Sequence, residues 1–472
     1  MNFNSYQFLL FFSVVVSLYW LVFSRSYRTQ NLTILISSCV FYSFWDYRFL
    51  VLIFLSIIID FFVGIELNRS IKPNKMLLYS SCFFNLGILA FFKYFNFFID
   101  SWVDLFESVG FSFNNSWSLK IILPVGISFY TFQTMSYTID IYRKKIKPTS
   151  DFIAFASFVT FFPQLVAGPI ERASSLLPQI LKKRKFNVEQ ATEGFRLILW
   201  GLFKKIVVAD NLSPLVDSIF SNYADFGGGT LALGALYFSF QIYCDFSGYS
   251  DIAIGISKLL GIELMSNFKF PYFSRNIAEF WRRWHISLSS WFRDYLYFPM
   301  GGSRGSKMKS IRNVTTIFVI SGLWHGANWT FVFWGLVHAL LYIPLFLGGN
   351  HRKFNHEVVA QNSIFPSLKE LIQIIITFFF VLTGWVFFRS ETIYDAFQYL
   401  YIMFFQFDLN FAWIRGLPIL FLFLILDWSQ RKNERTLFNH NTLLRWFFYL
   451  FLSLLIFLNF GKTNVDFIYF QF

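Results

Sequence analysis

Charge is scarce in this sequence. Asp, Glu, Lys and Arg make up 14% of its 472 residues, where soluble globular chains carry about 25%. A fold that turns a polar surface to water on all sides is thereby excluded. Acidic residues are the scarcer sign, 27 against 40 basic ones, for a net charge of +13. Cysteine is nearly absent. Cys39, Cys82 and Cys244 all lie in apolar segments, so there is no disulfide framework and no thiolate spacing for a metal, and packing is their expected role. No polar stretch is long enough to bury a core of its own, so no soluble domain is expected. Residues 1–6 lack a basic leader region and no small-residue cleavage site follows, so the first apolar run reads as a retained helix. No basic stripe with interleaved stacking aromatics lies outside the apolar segments, which disfavours nucleic acid as a partner. No internal repeat is visible, which argues against a transporter built from inverted halves.

What fills the chain instead is apolar: 56% of residues are hydrophobic and 23% aromatic. Runs close to the 20 or so residues that span a bilayer recur along its length. They occupy residues 8–23, 49–65, 76–95, 152–166, 372–388 and 443–460, with less uniform stretches at 231–246 and 315–347. The expectation is an all-α polytopic membrane protein of 10–12 transmembrane helices, plus re-entrant and interfacial helices. Basic residues cluster between the runs, at 143–147, 182–185, 307–312 and 431–435. Such clusters mark cytoplasmic loops and also attract anionic headgroups or an anionic cytosolic substrate.

The texture divides one membrane domain, residues 1–472, into three parts. Residues 1–120 are nearly continuous apolar helices, 121–345 form a polar-interrupted core, and 346–472 return to apolar helices and an aromatic tail. In the core, LPVGISFYTFQTMSYTIDIYR (123–143), FFPQLVAGPIERASSLLPQ (161–179) and FQIYCDFSGYSDIAIG (240–255) read as broken helices. Breaks at membrane depth are tolerated where they are buried or line a cavity. Asp140, Glu171, Asp245 and Asp251 fall in or beside them, either as site residues or as structural ion pairs with Arg143 or Arg172.

The block NIAEFWRRWHISLSSWFRDYLYFPMGGSRGSK (276–307) predicts one amphipathic helix at the cytoplasmic interface. Trp281, Trp284, His285, Leu288 and Trp291 share its apolar face; Arg282, Arg283 and Arg293 lie toward the other. The GGSRGSK loop is an ordinary turn or, with Arg304 and Lys307, a phosphate contact. In SGLWHGANW (321–329), His325 sits among tryptophans with no charged neighbour, a costly place for a titratable ring. His285 and His325 lie on segments joined by a return loop, so they can meet in one cavity. If residues 323–341 form one helix, His338 lies about 20 Å from His325. Without HExxH or a thiolate cluster, no metal site is expected.

The strings WRRWHISLSSWFRDYLYFPMGGSR, LWHGANWTFVFWGLVHA, YCDFSGYSDIAIG and FPQLVAGPIERA together resemble the membrane-bound O-acyltransferase (MBOAT) family, over nearly the whole chain. The most similar branch is the bacterial one of alginate O-acetylases, peptidoglycan O-acetylation membrane subunits and the membrane protein of teichoic-acid D-alanylation. The resemblance implies a ring of tilted helices around a pinched channel open to both membrane faces. It implies His325, in the WHG motif, as the active-site residue and His285 as its second position. It further implies an O-acetyltransferase of the bacterial inner membrane that takes cytosolic acetyl-CoA and no permanent cofactor. An extracytoplasmic partner protein would then receive the acetyl group and modify a polysaccharide.

A histidine base of near-neutral pKa suits thioester-to-alcohol transfer. No GxSxG elbow points to an acyl-serine. Asp245, Arg293, Arg304, Trp324 and Asn328 are expected to line the channel. The tail FIYFQF (467–472) is either an interfacial anchor or, by the resemblance, a motif whose Tyr469 relays the acyl group. Two other readings stay open: a lipid or protein O-acyltransferase using a longer acyl-CoA, and a carrier or flippase without chemistry.

Overall fold

The structure is a computed structural model that describes every residue except 71, 73, 112–118, 167, 356, 409, 434–436, 438–440, 463–464, 466 and 469–472. Helix is its only regular secondary structure among the described residues, as hydrocarbon requires of a segment that must satisfy its own backbone. Among the described residues, six helical stretches are long and apolar enough to cross a membrane: Tyr27–Arg69, Lys75–Ser108, Trp329–Leu347, Leu368–Arg389, Trp413–Gln430 and Thr442–Asn459. Side chains such as Leu21, Phe83 and Leu443 stand exposed on these and neighbouring helices, where lipid covers what water would not. The chain is a multi-pass membrane protein.

Two compact units divide it. The first comprises Met1–Ala191 with Ile256–Leu264. It holds α1 (Tyr6–Ser17), α2 (Tyr27–Asp46), α3 (Leu50–Arg69), α4 (Lys75–Leu89), α5 (Phe95–Ser108), α6 (Ile127–Tyr142), α7 (Phe152–Thr160), α8 (Phe162–Leu165) and α9 (Ala173–Ile180). Ser26 starts α2 with a capping box to Thr29, and Asn74 and Asp151 cap α4 and α7. Asp60 of α3 is the polar centre of this unit: Ser81 Oγ and Asn85 Nδ2 of α4 donate to its carboxylate at 2.5 and 2.9 Å. Thr134 of α6 donates to Asn85, and Ser81 also meets Thr138. The run 152–166, expected to span, instead turns at Phe161 and is buried from Ala154 to Thr160. Its two pieces are too short to cross, and Pro163 at the start of α8 resists continuation from α7.

The second unit comprises Thr192–Gly255 and Met265–Phe472. Its elements are most of α10 (Val188–Leu202), a π-helical segment (Phe203–Ala209), α11 (Asp210–Ser221), most of α12 (Gly228–Leu259), α13 (Ile277–Arg283), α14 (Ile286–Phe292), α15 (Lys307–His325), α16 (Trp329–Leu347), α17 (Leu368–Arg389), α18 (Ile393–Phe405), α19 (Leu417–Gln430) and α20 (Thr442–Asn459). Three expectations are corrected here. Residues 240–255 are not broken: they lie inside α12, 32 residues long. The small residues that read as a break are a packing face. A Cβ on Gly248 would lie 2.8 Å from the Gly201 carbonyl oxygen, and one on Gly201 would lie 2.5 Å from that of Gly248, the close approach that small residues permit.

The single helix expected over 276–307 breaks at Trp284–His285, where His285 takes the left-handed conformation (φ 42°) and caps α14. The single helix expected over 323–341 also breaks, because α15 ends at His325 and the chain doubles back into α16. A Cβ on Gly322 would lie 2.1 Å from the Phe331 carbonyl oxygen, and one on Gly335 would lie 2.2 Å from that of Phe318. Only glycine lets α15 and α16 pack this closely. The separation of about 20 Å inferred for His325 and His338 falls with the helix it assumed, since both rings now pack on Trp334, at 5.2 and 5.0 Å between centroids.

Candidate active site

The end of α15 and the break before α14 bring His325 and His285 together, with ring centroids 6.2 Å apart. Both are buried. His325 is the last residue of α15. Gly326 follows, and a Cβ there would stand 2.1 Å from Cε2 of Phe331. The glycine of the WHG string is therefore a steric demand of the turn that aims the histidine. Around His325 stand Trp324, Trp334 and Phe388, at 5.0, 5.2 and 5.3 Å between centroids.

His285 is held by its backbone. A left-handed φ costs a β-carbon-bearing residue on the order of 1–3 kcal/mol and persists only where neighbours enforce it. Asn267 is the enforcer. Its carbonyl accepts from Ile286 N (2.9 Å), its side-chain oxygen from Ser287 N (3.4 Å), and its amide donates to Ser250 Oγ of α12 at 3.0 Å. The ring meets Phe246 edge-on at 4.7 Å and Trp324 at 5.6 Å. Burial pushes the imidazole down to about 3, so it is neutral at any cellular pH.

His338 belongs to a different arrangement. Trp281 Nε1 donates to its Nδ1 at 3.3 Å, which places its proton on Nε2. Phe280 stacks on it, and a Cβ on Gly384 would lie 2.9 Å from Nε2.

Of the five expected lining residues, Trp324 lies at the histidine pair. Asp245 is buried on α12 beside Lys205 Nζ, 2.7 Å away, and accepts from Ile468 N at 2.7 Å. Asn328 caps α16 by accepting from Thr330 N and donates to the Glu391 carbonyl. Arg293 is exposed and pairs with Asp294 at 2.9 Å, and Arg304 is exposed in the loop before α15. Tyr469 lies outside the described residues. Lys145 Nζ approaches Asp140 at 3.7 Å, and Lys204 Nζ meets Asp251 at 2.6 Å.

A cavity of about 370 Å³ opens between α13, α14, α15 and α16. Its lining includes Ile286 and Ser321, the residue after one histidine and the residue one turn before the other. Arg282, Arg293 and Arg352 supply its positive charge. Arg282 also donates to the carbonyls of His351 (2.6 Å) and Lys353 (2.8 Å), which ties down the loop beside the cavity.

Sequence reasoning missed Asn267, Ser250 and the cavity. A left-handed histidine leaves no compositional trace, and nothing in the string around Asn267 announces a clamp.

Residues 84–345 match MBOAT, the membrane-bound O-acyltransferase family. The chain is 39% identical over 430 residues to the probable alginate O-acetylase AlgI of Pseudomonas aeruginosa, covering 89% of this chain and 79% of that one. It is 35% identical over 403 residues to the peptidoglycan O-acetyltransferase of Helicobacter pylori, covering 78% and 73% respectively. With the teichoic acid D-alanyltransferase of Bacillus subtilis it shares 28% identity over 287 residues, 58% of this chain and 70% of the other.

Proposed function

This chain belongs to the membrane-bound O-acyltransferase family, and we propose that it moves acetyl groups from cytosolic acetyl-CoA across the bacterial inner membrane toward hydroxyls of an extracytoplasmic polysaccharide. The observation that carries this reading is the meeting of His285 and His325 at 6.2 Å inside apolar surroundings. Rings at that spacing can both reach one reacting oxygen within the 2.6–3.2 Å or so that proton transfer needs. His325 takes the proton of the attacking hydroxyl, the oxygen adds to the thioester carbonyl, and the carbon–sulfur bond breaks. The thiolate of CoA then recovers the proton from the imidazolium. His285, neutral and rigidly held, orients the thioester and stabilises the tetrahedral oxyanion through a ring N–H.

The first acceptor is the phenol of Tyr469, whose aryl ester is a better donor than an alkyl ester. It yields acetyl to the hydroxyl of an extracytoplasmic partner protein, which modifies the polymer. The arginine-bearing cavity supports the donor side, since its charge suits the anionic adenosine and diphosphate portion of CoA. No permanent cofactor enters these steps.

Purified protein in proteoliposomes, given labelled acetyl-CoA or labelled palmitoyl-CoA, tests this. Transfer or hydrolysis of the acetyl thioester in preference to the palmitoyl one is the expected result. Preference for palmitoyl-CoA would move the protein to lipid or protein acylation. Consumption of neither donor would leave a carrier.

A further inference from the structure

Two carboxylates face one ammonium deep in the second unit. Lys205 Nζ lies 2.9 Å from Asp210 Oδ1 and 2.7 Å from Asp245 Oδ1, and all three residues are buried. A buried charge of this kind is expensive unless it is fully answered. Here the answer comes from the segment beyond α20, more than two hundred residues away in sequence. Ile468 N donates to Asp245 Oδ2 at 2.7 Å, and Lys205 Nζ donates to the Val465 carbonyl at 3.3 Å. Two members of the ion cluster thus hold the chain here, Asp245 by the N–H of Ile468 and Lys205 by the C=O of Val465.

The clamped segment is also packed. Phe467 and Ile468 are 2% and 3% exposed. The Phe467 ring lies 4.7 Å from Tyr249 and 6.0 Å from Phe246, and Phe246 in turn meets His285 at 4.7 Å. One α12 residue therefore separates the segment from the candidate active site. The site side of α12 is fixed by Ser250 through Asn267, and the tail side by Asp245. A simple interfacial anchor would need apolar contact with lipid. It would not need a charge-assisted bond between a buried carboxylate and its backbone.

We infer that Lys205, Asp210 and Asp245 form a latch that holds Val465 and Ile468, and that acyl transfer depends on this hold. Lys205 and Asp245 are positioning residues for the transfer, and they act through the segment. This rests on the reading of Tyr469 as relay, because the latch matters to chemistry only if the segment takes part in it. The order of importance within the cluster follows from the geometry. Asp245 accepts from the Ile468 N–H and Lys205 donates to the Val465 C=O, whereas Asp210 reaches them through Lys205.

Hydrogen exchange of the full-length protein, read on the peptide covering residues 465–472, tests the latch without reference to activity. The wild-type Ile468 amide should exchange slowly. Asp245→Asn leaves a balanced Lys205–Asp210 pair, so the fold should survive, and it replaces a carboxylate acceptor by a neutral one. Exchange at Ile468 should then speed up on the order of 10- to 100-fold, the worth of one buried charge-assisted bond. Phe467→Ala approaches from the segment's side, leaves the ion cluster intact and should release the same amide. Asp210→Asn should release it less. Unchanged exchange in both Asp245→Asn and Phe467→Ala would overturn the latch.

Acetyl transfer is measured on the same samples. In Asp245→Asn it should fall at least about tenfold in kcat with the KM for acetyl-CoA unchanged, the pattern of an interaction absent from donor binding. Faster exchange with unaltered transfer would overturn the positioning role. Tyr469→Phe separates the two ideas. It should block transfer while Ile468 stays protected, and full transfer by that variant would overturn the relay and leave only the binding of the segment.

Discussion

Asp60 and His325 are both polar side chains buried among apolar helices, and their surroundings differ in kind. Asp60 receives a hydroxyl and an amide, and those donors are engaged in turn by Thr138 and Thr134, so α3, α4 and α6 are tied through one hydrogen-bonded chain. His325 is walled by the rings of Trp324, Trp334 and Phe388, and the titratable group beside it is a second imidazole. A carboxylate given a set of neutral donors holds helices in register and has little left to offer a substrate. A base set against aromatic walls, at the end of a helix and beside another base, is arranged to meet something that arrives. With the function proposed above, the difference gives a working rule for this molecule: a network marks structure, and a converging pair is the proposed place of chemistry.

The strongest way to break that comparison is His325→Ala. Removal of a general base costs a factor of about 10² to 10⁴, so acetyl transfer in proteoliposomes should fall to near background. The variant should still elute as folded protein, because Trp334 and Phe388 retain each other and Trp324 retains His285. Transfer within about threefold of wild type would reject His325 as base.

How much of this was legible in the residues depends on the range of the interactions involved. The WHG string pointed to His325 because a titratable ring without charged neighbours is visible locally, and the return loop after His285 made a meeting of the two plausible. The helix hairpin after His325 was not legible: one helix was supposed across 323–341, and Gly322 and Gly335 show their purpose only once the facing carbonyls of Phe331 and Phe318 are known. Gly248 misled in the opposite sense: it signalled a broken helix, and its partner Gly201 lies 47 residues away in the chain. Sequence spacing carries periodicity within an element well and says nothing of which element will lie opposite. The clamp of Asn267 on the backbone after His285, and that of Asp245 on Ile468, are contacts of the second sort.

A gentler test of the comparison is Asp60→Ala. It removes the charged acceptor of the buried Ser81 hydroxyl and Asn85 amide, which keep only Thr138 and the Ser81 carbonyl, a loss of about 1–3 kcal/mol in all. The yield of folded protein and its thermal midpoint should drop. Transfer per folded molecule should stay within about twofold of wild type, as read by normalising labelled product to the monodisperse fraction. A large fall in rate with unchanged stability would mean that the network serves the reaction and that the rule fails.

The smallest effect should come from His338, which separates histidine as a residue type from histidine in a converging pair. It packs against Trp334 as His325 does and is equally buried. Yet its Nδ1 is taken by the Trp281 indole N–H at 3.3 Å, and Phe280 covers its face. A nitrogen already accepting one proton donor is no base for another. His338→Phe keeps the aromatic volume and leaves the Trp281 N–H without its acceptor, at a cost of about 1–3 kcal/mol. The midpoint of thermal unfolding should fall by a few degrees, and His338→Gln, whose amide oxygen can accept from Trp281, should recover part of it. Neither variant should change kcat for acetyl transfer by more than about threefold. If His338→Gln restored stability while transfer stayed a hundredfold down, the third histidine would belong to the reaction, and proximity to Trp334 rather than pairing would be what marks a catalytic ring.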